Sequence, residues 1–195
     1  MKPTVHFFLA SKSPRRRELL EQIGVAYELL DVDIVEVPGP TEEPLDYVRR
    51  VAREKAGAGL MQVAGIAGAV VLGADTEVIL AGRIFGKPAD AEAAREMLHA
   101  LSGRVHQVIS AVAVVDQGRE EERVSISDVA IAKLSAAQID AYVTGGQCMG
   151  KAGAYAIQGS AACFIERIEG SHSGIMGLPL FETAAMLRRF GVLKP

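Results

Sequence analysis

The chain has 195 residues, 49% of them hydrophobic and 23% charged, with a net charge of −3. That length supports one substantial core near the upper edge of single-domain size, and 20 Gly with 8 Pro exclude a collagen-like or low-complexity chain. The slightly acidic balance argues against a general nucleic-acid binder but not against one local basic pocket. Cys148 and Cys163 form no CxxC or Cys/His cluster, which argues against structural zinc. Between Met1 and Ala10 the apolar run is too short for a signal-peptide core. The run around Ala67–Leu72 is well short of the roughly 20 residues that a membrane span needs. The chain therefore reads as cytoplasmic, with neither membrane nor nucleic acid among its partners.

In chain order, Val5–Ala10 reads as a buried strand. Ser11–Ser13 is a turn, and Ser13-Pro14 marks the start of a helix that Gly24 ends. Tyr27–Val32 is a second strand, followed by an acidic, proline-bearing loop over 31–44. A long helix follows from Pro44 to Val63. Val70–Leu72 is a buried strand that leads into Gly73-Ala74-Asp75-Thr76 and continues through Val78–Leu80 to a turn at Ala81-Gly82. Asp90 caps a helix that runs to Leu101. Two longer strands, Val105–Val115 and Val124–Ile131, flank a charged turn. A helix over Ser135–Val143, a strand over Ala161–Ile168 and a final helix from Pro179 to Phe190 complete the chain. Strands and helices interleave throughout, without repeat or linker. The expected fold is α/β over a single domain spanning 1–195, with a mixed, twisted sheet flanked by helices.

Four segments carry chemistry. Ser11-Lys12-Ser13-Pro14-Arg15-Arg16-Arg17 places hydroxyls and guanidinium groups at a helix N-terminus, which suits phosphate oxygens. The competing reading is a plain helix cap with solvated arginines. Asp75 sits at the end of an apolar strand, where a carboxylate is costly unless it is paired or metal-bound. It suits a divalent cation or the deprotonation of water; a turn-capping Asp is the alternative. Lys87, between Gly86 and Pro88, suits a phosphate contact, whereas Lys55 reads equally as a pocket residue or a solvated lysine. In Lys151–Gly159, Tyr155 and Ile157 call for burial, and Gln158 suits a base edge. His106 and His172 stand alone and read as structural. Basic anchors, carboxylates and one amide together fit a nucleotide whose phosphates take both Arg/Lys and a metal.

These segments together resemble the Maf family of nucleoside triphosphate pyrophosphatases. The resemblance spans essentially the whole chain, from Leu9–Leu20 through Gly73–Thr76, Gly86–Pro88, Met97–Gly103 and Lys151–Gly159 to Gly177–Leu180. Thr76, Ser102 and Gln158 are similar to the dTTP/UTP branch. The resemblance implies a two-lobed fold around a central cleft, of the kind shared with inosine triphosphatases. It also implies hydrolysis of the α–β phosphoanhydride to a nucleoside monophosphate and pyrophosphate, with Mg²⁺ or Mn²⁺ as cofactor. Asp75 matches the proton acceptor. Arg15, Thr76 and Gln158 match positions of substrate choice. Ser11, Ser13, Arg16, Lys55 and Lys87 match other pocket residues. Glu36 is the best match for a metal-related carboxylate beside Asp75, with Asp33 the alternative. A homodimer is common in the family. The sequence departs from the family pattern at Val35, where an acid is expected, at Gln147–Gly150 and at Gly174. A nucleotide-binding regulator of cell division without turnover, and an RNA binder using Lys12–Arg17, are the alternative functions.

Overall fold

Strand β1 (His6–Ala10) is apolar and lies inside the sheet, between β2 (Glu28–Leu29) and β3 (Ala69–Leu80), both parallel to it. The structure, a computed structural model, describes residues 5–194, so Met1–Thr4 and Pro195 lie outside it. Beyond β3 the sheet turns antiparallel through β5 (Val105–Val115), β6 (Glu120–Ile131) and β7 (Ile165–Glu169). The short strand β4 (Arg83–Phe85) folds back on the end of β3 through a turn at Ala81-Gly82. The strand order is β2-β1-β3-β5-β6-β7, a mixed sheet as expected.

Helices cover both faces, and the period of two along β3 decides which. Leu72 and Ala74 pack with α1 (Pro14–Gln22) and α6 (Leu180–Arg189) through Leu19, Leu20, Met186 and Leu187. Val71 and Ile79 face α2 (Pro44–Gln62), which contributes Tyr47, Val48, Val51, Ala52 and Ala56. A third cluster joins Val78 and Val108 to α3 (Ala91–Leu101) and α4 (Ala136–Thr144). Asp90 caps α3 by accepting from Ala93 N–H, and Ser135 with Gln138 closes a capping box on α4. Among the described residues no helix is long and apolar enough to cross a membrane, and Cys148 and Cys163 are both free.

The sequence reading differs from the structure mainly at sheet edges. The strand expected over 27–32 shrinks to two exposed residues, because β2 is an edge with only β1 beside it. The strand expected from Ala161 begins at Ile165, after a 3₁₀ turn over Ser160–Phe164 in which small residues replace the β-branched ones a strand favours. Conversely, β6 begins at Glu120 rather than Val124. Pairing of Glu120–Glu122 with Ala113–Val115 of β5 holds residues whose own pattern is not strand-like. A five-residue helix, α5 (His172–Met176), is too short to show helical periodicity.

Two features of β3 open the place where chemistry sits. Its pairing with β1 ends at Gly73, and its pairing with β4 begins only at Val78. Ala74–Glu77 therefore have β5 on one edge and neither β1 nor β4 on the other. Gly73 also lets α2 approach the sheet closely, since a Cβ there would run into Ala52 O and Ala56 N. Because those obstacles are backbone, Gly73→Ala should lower stability by about 1–3 kcal/mol or more through overpacking, seen as a lower urea midpoint with an unchanged m-value.

Candidate active site

On the free edge of Ala74–Glu77, Asp75, Thr76 and Glu77 form the floor of a cleft of about 380 Å³. Its walls come from the β1–α1 turn, the loop after β2, α2, the loop after β4, the segment 150–158 and the turn after α5. All ten residues singled out from the sequence line it: Ser11, Ser13, Arg15, Arg16, Glu36, Lys55, Asp75, Thr76, Lys87 and Gln158. Asp33, the alternative to Glu36, is exposed and does not line it.

One wall is acidic. Asp75 and Glu77 project from the α2 face of β3. Lys55, buried on α2, donates to Asp75 Oδ1 at 2.9 Å and lies 3.1 Å from Glu36 Oε1. The solvated reading of Lys55 is thus replaced by a buried ammonium shared between two carboxylates. Burial works against the Glu36 charge, but Lys55, then Lys87 and Arg16, hold its pKa below the usual carboxylate value. Lys87, on the exposed loop after β4, is 4.0 Å from Glu36 Oε2.

Glu77 is the acid that the sequence reading passed over. Burial, then the like charge of Asp75, push its pKa up to about 8, so its carboxyl carries a proton near neutrality. The signal was the Asp-x-Glu spacing, which puts both side chains on one face of a strand. Asp75 Oδ2 and Glu77 Oε2 are buried without a hydrogen-bond partner among the described residues.

The unpartnered Asp75 oxygen beside an opening fits a hard divalent cation, with the Glu77 carboxyl next to it able to join once it gives up its proton. Mg²⁺ typically takes one or two carboxylates and completes its shell with water and substrate phosphates. Among the described residues no group of three or more His, Cys, Asp or Glu side chains is arranged to hold a metal by itself.

The facing wall is cationic. Ser13 occupies the N-cap of α1 without using its hydroxyl as a cap. Ser11 Oγ instead accepts from Ser13 N–H at 3.2 Å and from Arg16 Nη1 at 3.1 Å. Arg16 also donates from Nε to Gly177 O at 2.8 Å and from Nη2 to Thr76 Oγ1 at 3.4 Å. Thr76 Oγ1 meets Ser110 Oγ at 2.7 Å, and Ser110 donates to Gly174 O at 2.7 Å. Arg15 Nε donates to Met176 O at 3.2 Å. The end of α5 and its following turn therefore aim both guanidinium groups with backbone carbonyls. Burial disfavours the charge on both, and for Arg16 the pull of Asp75 opposes it. Lys151 adds another cation, pushed down by burial and then by Arg15.

Gln158 stands exposed on the segment 150–158, which is tied down at several points. Gly153, at φ +66°, packs on Val78 so closely that a Cβ would come within 2.9 Å of it, and its N–H donates to Gly86 O. Gln147 Oε1 accepts from both the N–H and the Oγ of Ser160, so the departure at 147 still provides an acceptor for the turn after Gln158. Val35 points to solvent, away from the cleft lining. Gly174 sits where a Cβ would come within 2.9 Å of Ser125 Oγ. Tyr155, buried under the cleft, is hydrogen-bonded through its hydroxyl to His106 Nε2 at 2.8 Å, while His106 Nδ1 is buried without a partner.

Comparison with known proteins follows the same lines. A family model described as Maf-like protein matches residues 6–190. A nucleoside triphosphate pyrophosphatase of Xylella fastidiosa is 53% identical over 184 residues, covering 94% of this chain and 97% of that protein. A dTTP/UTP pyrophosphatase of Cupriavidus metallidurans is 52% identical over 193 residues, covering 95% of this chain and 96% of the relative. Another dTTP/UTP pyrophosphatase, of Xanthomonas campestris pv. campestris, is 51% identical over 186 residues, covering 94% and 98%.

The buried His106 gives this region an acid sensitivity. Burial lowers its pKa from 6.5 to about 4. Between those values the unfolded chain binds the extra proton and the folded one does not, so stability is full above pH 6.5 and falls toward pH 4. The shift corresponds to about 3 kcal/mol over that window. Denaturation curves of wild type and His106→Gln at successive pH values should show the variant losing that much less between pH 6.5 and 4.

Proposed function

The chain belongs to the Maf family, and on that premise we propose that it hydrolyses the α–β phosphoanhydride of nucleoside triphosphates, preferring dTTP and UTP, to a nucleoside monophosphate and pyrophosphate. The observation that carries this reading is the cleft itself: an acidic wall with a free Asp75 oxygen faces two guanidinium groups aimed by backbone carbonyls. A polyanionic ligand meets the cationic wall directly and the acidic wall through a divalent cation, which satisfies both at once.

Lys55 occupies Asp75 Oδ1 and leaves Oδ2 to take the proton of the attacking water. As the water oxygen bonds to phosphorus, the anhydride P–O bond breaks and its electron pair leaves with pyrophosphate. Arg15, Arg16 and Lys87 meet the charge that develops on the polyphosphate, and Ser11 and Ser13 contribute hydroxyls beside them. A divalent cation, Mg²⁺ or Mn²⁺, held by Asp75 and Glu36 with Glu77 adjacent, would neutralise phosphate charge and lower the pKa of water. Gln158 offers an amide donor and acceptor to a pyrimidine edge. Thr76 lines the same cleft, with its hydroxyl already engaged by Ser110 and Arg16.

The test is pyrophosphate release from dTTP, UTP, CTP, GTP, ITP and 7-methyl-GTP, with and without Mg²⁺ or Mn²⁺. Metal-dependent turnover of dTTP and UTP is expected, and Asp75→Asn should reduce it by at least about 100-fold, the worth of a positioned general base. Turnover of none of these by folded protein would overturn the reading. In Gln158→Ala the preference for dTTP over CTP should narrow by about tenfold, equivalent to one or two hydrogen bonds; an unchanged preference removes Gln158 from base reading.

A further inference from the structure

Glu36 reaches Lys55 from a segment that the fold secures at its start, through Val32 and Ile34, and hardly at all from Val35 onward. Between Leu29 and Pro44 there is neither helix nor strand, and every residue from Val35 to Thr41 is exposed. Val35 and Val37, the apolar side chains flanking Glu36, are 75% and 64% exposed, so the loop's hydrophobic anchors lie before it, at buried Val32 and part-buried Ile34, and none follows it up to Thr41.

Before Glu36 the loop is also tied by Gln62, which donates to Asp31 O at 2.8 Å; after it, the polar hold comes from one guanidinium on α2. Arg50 donates from Nε to Glu42 Oε1 at 2.6 Å and from Nη2 to Glu42 Oε2 at 2.8 Å, the two-pronged geometry that fixes direction as well as distance. Its Nη2 also donates to Val37 O at 3.1 Å, next to Glu36. Glu42 Oε2 in turn accepts from Gly39 N–H at 2.9 Å, drawing the middle of the loop to the same point. On the helix side, Nη1 donates to both oxygens of Glu54 at 3.1 Å, so the guanidinium is braced one turn along α2. Lys55, the partner of Glu36 and Asp75, is the next residue along that helix.

We propose that Arg50 is a positioning residue: by gripping Val37 and Glu42 it sets the place of Glu36 at the acidic wall. The inference rests on the reading of Glu36 as a site carboxylate. It assigns the loop after β2 the same rigid reference as Lys55, one helix carrying both. Arg50 touches no substrate and acts only through the loop.

The experiment compares wild type, Arg50→Ala, Arg50→Lys, Glu42→Gln and Glu36→Gln. Amide hydrogen exchange over 35–42 is measured alongside dTTP turnover against Mg²⁺ concentration. In Arg50→Ala, exchange over that loop should speed up while the strands of the sheet keep their protection. The Mg²⁺ concentration for half-maximal turnover should rise by about 10-fold or more, the usual scale for loss of an outer partner of a ligand. Glu42→Gln should show the same pattern more weakly, and Arg50→Lys, lacking the fork, should recover only part of it. The double variant Arg50→Ala/Glu36→Gln should lose little beyond Glu36→Gln alone. Unchanged loop exchange in Arg50→Ala, or losses that multiply in the double variant, would overturn the proposal. If wild type turns over neither dTTP nor UTP, the functional reading fails, and the exchange data still decide whether Arg50 holds the loop.

Discussion

The ammonium of Lys55 between Asp75 and Glu36 is the interaction on which the site depends. A lysine buried this far must be paired, since an isolated buried charge costs several kcal/mol. It can be paired only because α2 lies almost on the backbone of β3, which Gly73 permits by having no Cβ. Gly59 does the same further along the helix, where a Cβ would come within 2.8 Å of Val71. Helix, strand and charge are therefore coupled. The packing brings Lys55 to Asp75, and the ion pair makes tolerable a carboxylate at 4% exposure. One Asp75 oxygen is consumed in the arrangement, and the other is left facing the cleft.

The remaining electrostatics follow from the unpaired edge of Ala74–Glu77. On an alternating strand Asp75 and Glu77 project to the α2 side, and Thr76 projects to the opposite side. That alternation sorts acids onto one wall and joins Thr76 to the arginines on the other. Among the described residues no carboxylate lies at contact distance from Arg15 or Arg16. Neutral acceptors hold them: the carbonyls of Met176 and Gly177 and the hydroxyls of Ser11 and Thr76. Neutral acceptors fix direction while leaving the positive charge available to an anion.

The sequence made much of this legible, and its silences have physical causes. The turn after β1, the Asp75-Thr76 pair and Lys87 are marked by Gly, Pro and hydroxyl punctuation that constrains backbone as well as side chain. Lys55 was ambiguous because Arg53-Glu54-Lys55 reads as one polar helix face, and only the close approach at Gly73 separates the buried lysine from its exposed neighbours. Residue patterning alone does not choose between Asp33 and Glu36, since a loop without periodicity does not say which side chain turns inward; the family resemblance favours Glu36, and Glu36 lines the cleft. Glu77 escapes the sequence pattern because the apolar run breaks at Gly73 and resumes at Val78, whereas β3 runs unbroken through both acids. The carbonyls that aim Arg15 and Arg16 leave no mark in any side chain, and α5, which supplies them, is only five residues long.

The site thus divides into parts of different rigidity. Asp75, Thr76, Lys55 and Arg16 stand on the sheet or on helices packed against it, and all but Thr76 are nearly or fully buried. Glu36, Lys87 and Gln158 stand on exposed loops, each secured by a few polar contacts: Arg50 for the first, the link from Gly153 to Gly86 near the second, and Gln147 with Ser160 after the third. Groups that must meet reacting atoms gain most from fixed geometry, because small displacements there cost large factors in rate. Groups that recognise a base or complete a charge balance tolerate more movement and suit segments open to substitution. The departures at Val35 and Gln147 fall in this second part. Val35 faces solvent, and Gln147 still presents an acceptor oxygen to Ser160. Gly174 departs within the framework. There the contact that matters is a backbone one, the carbonyl receiving Ser110, which survives a change of side chain only where Ser125 leaves room for it.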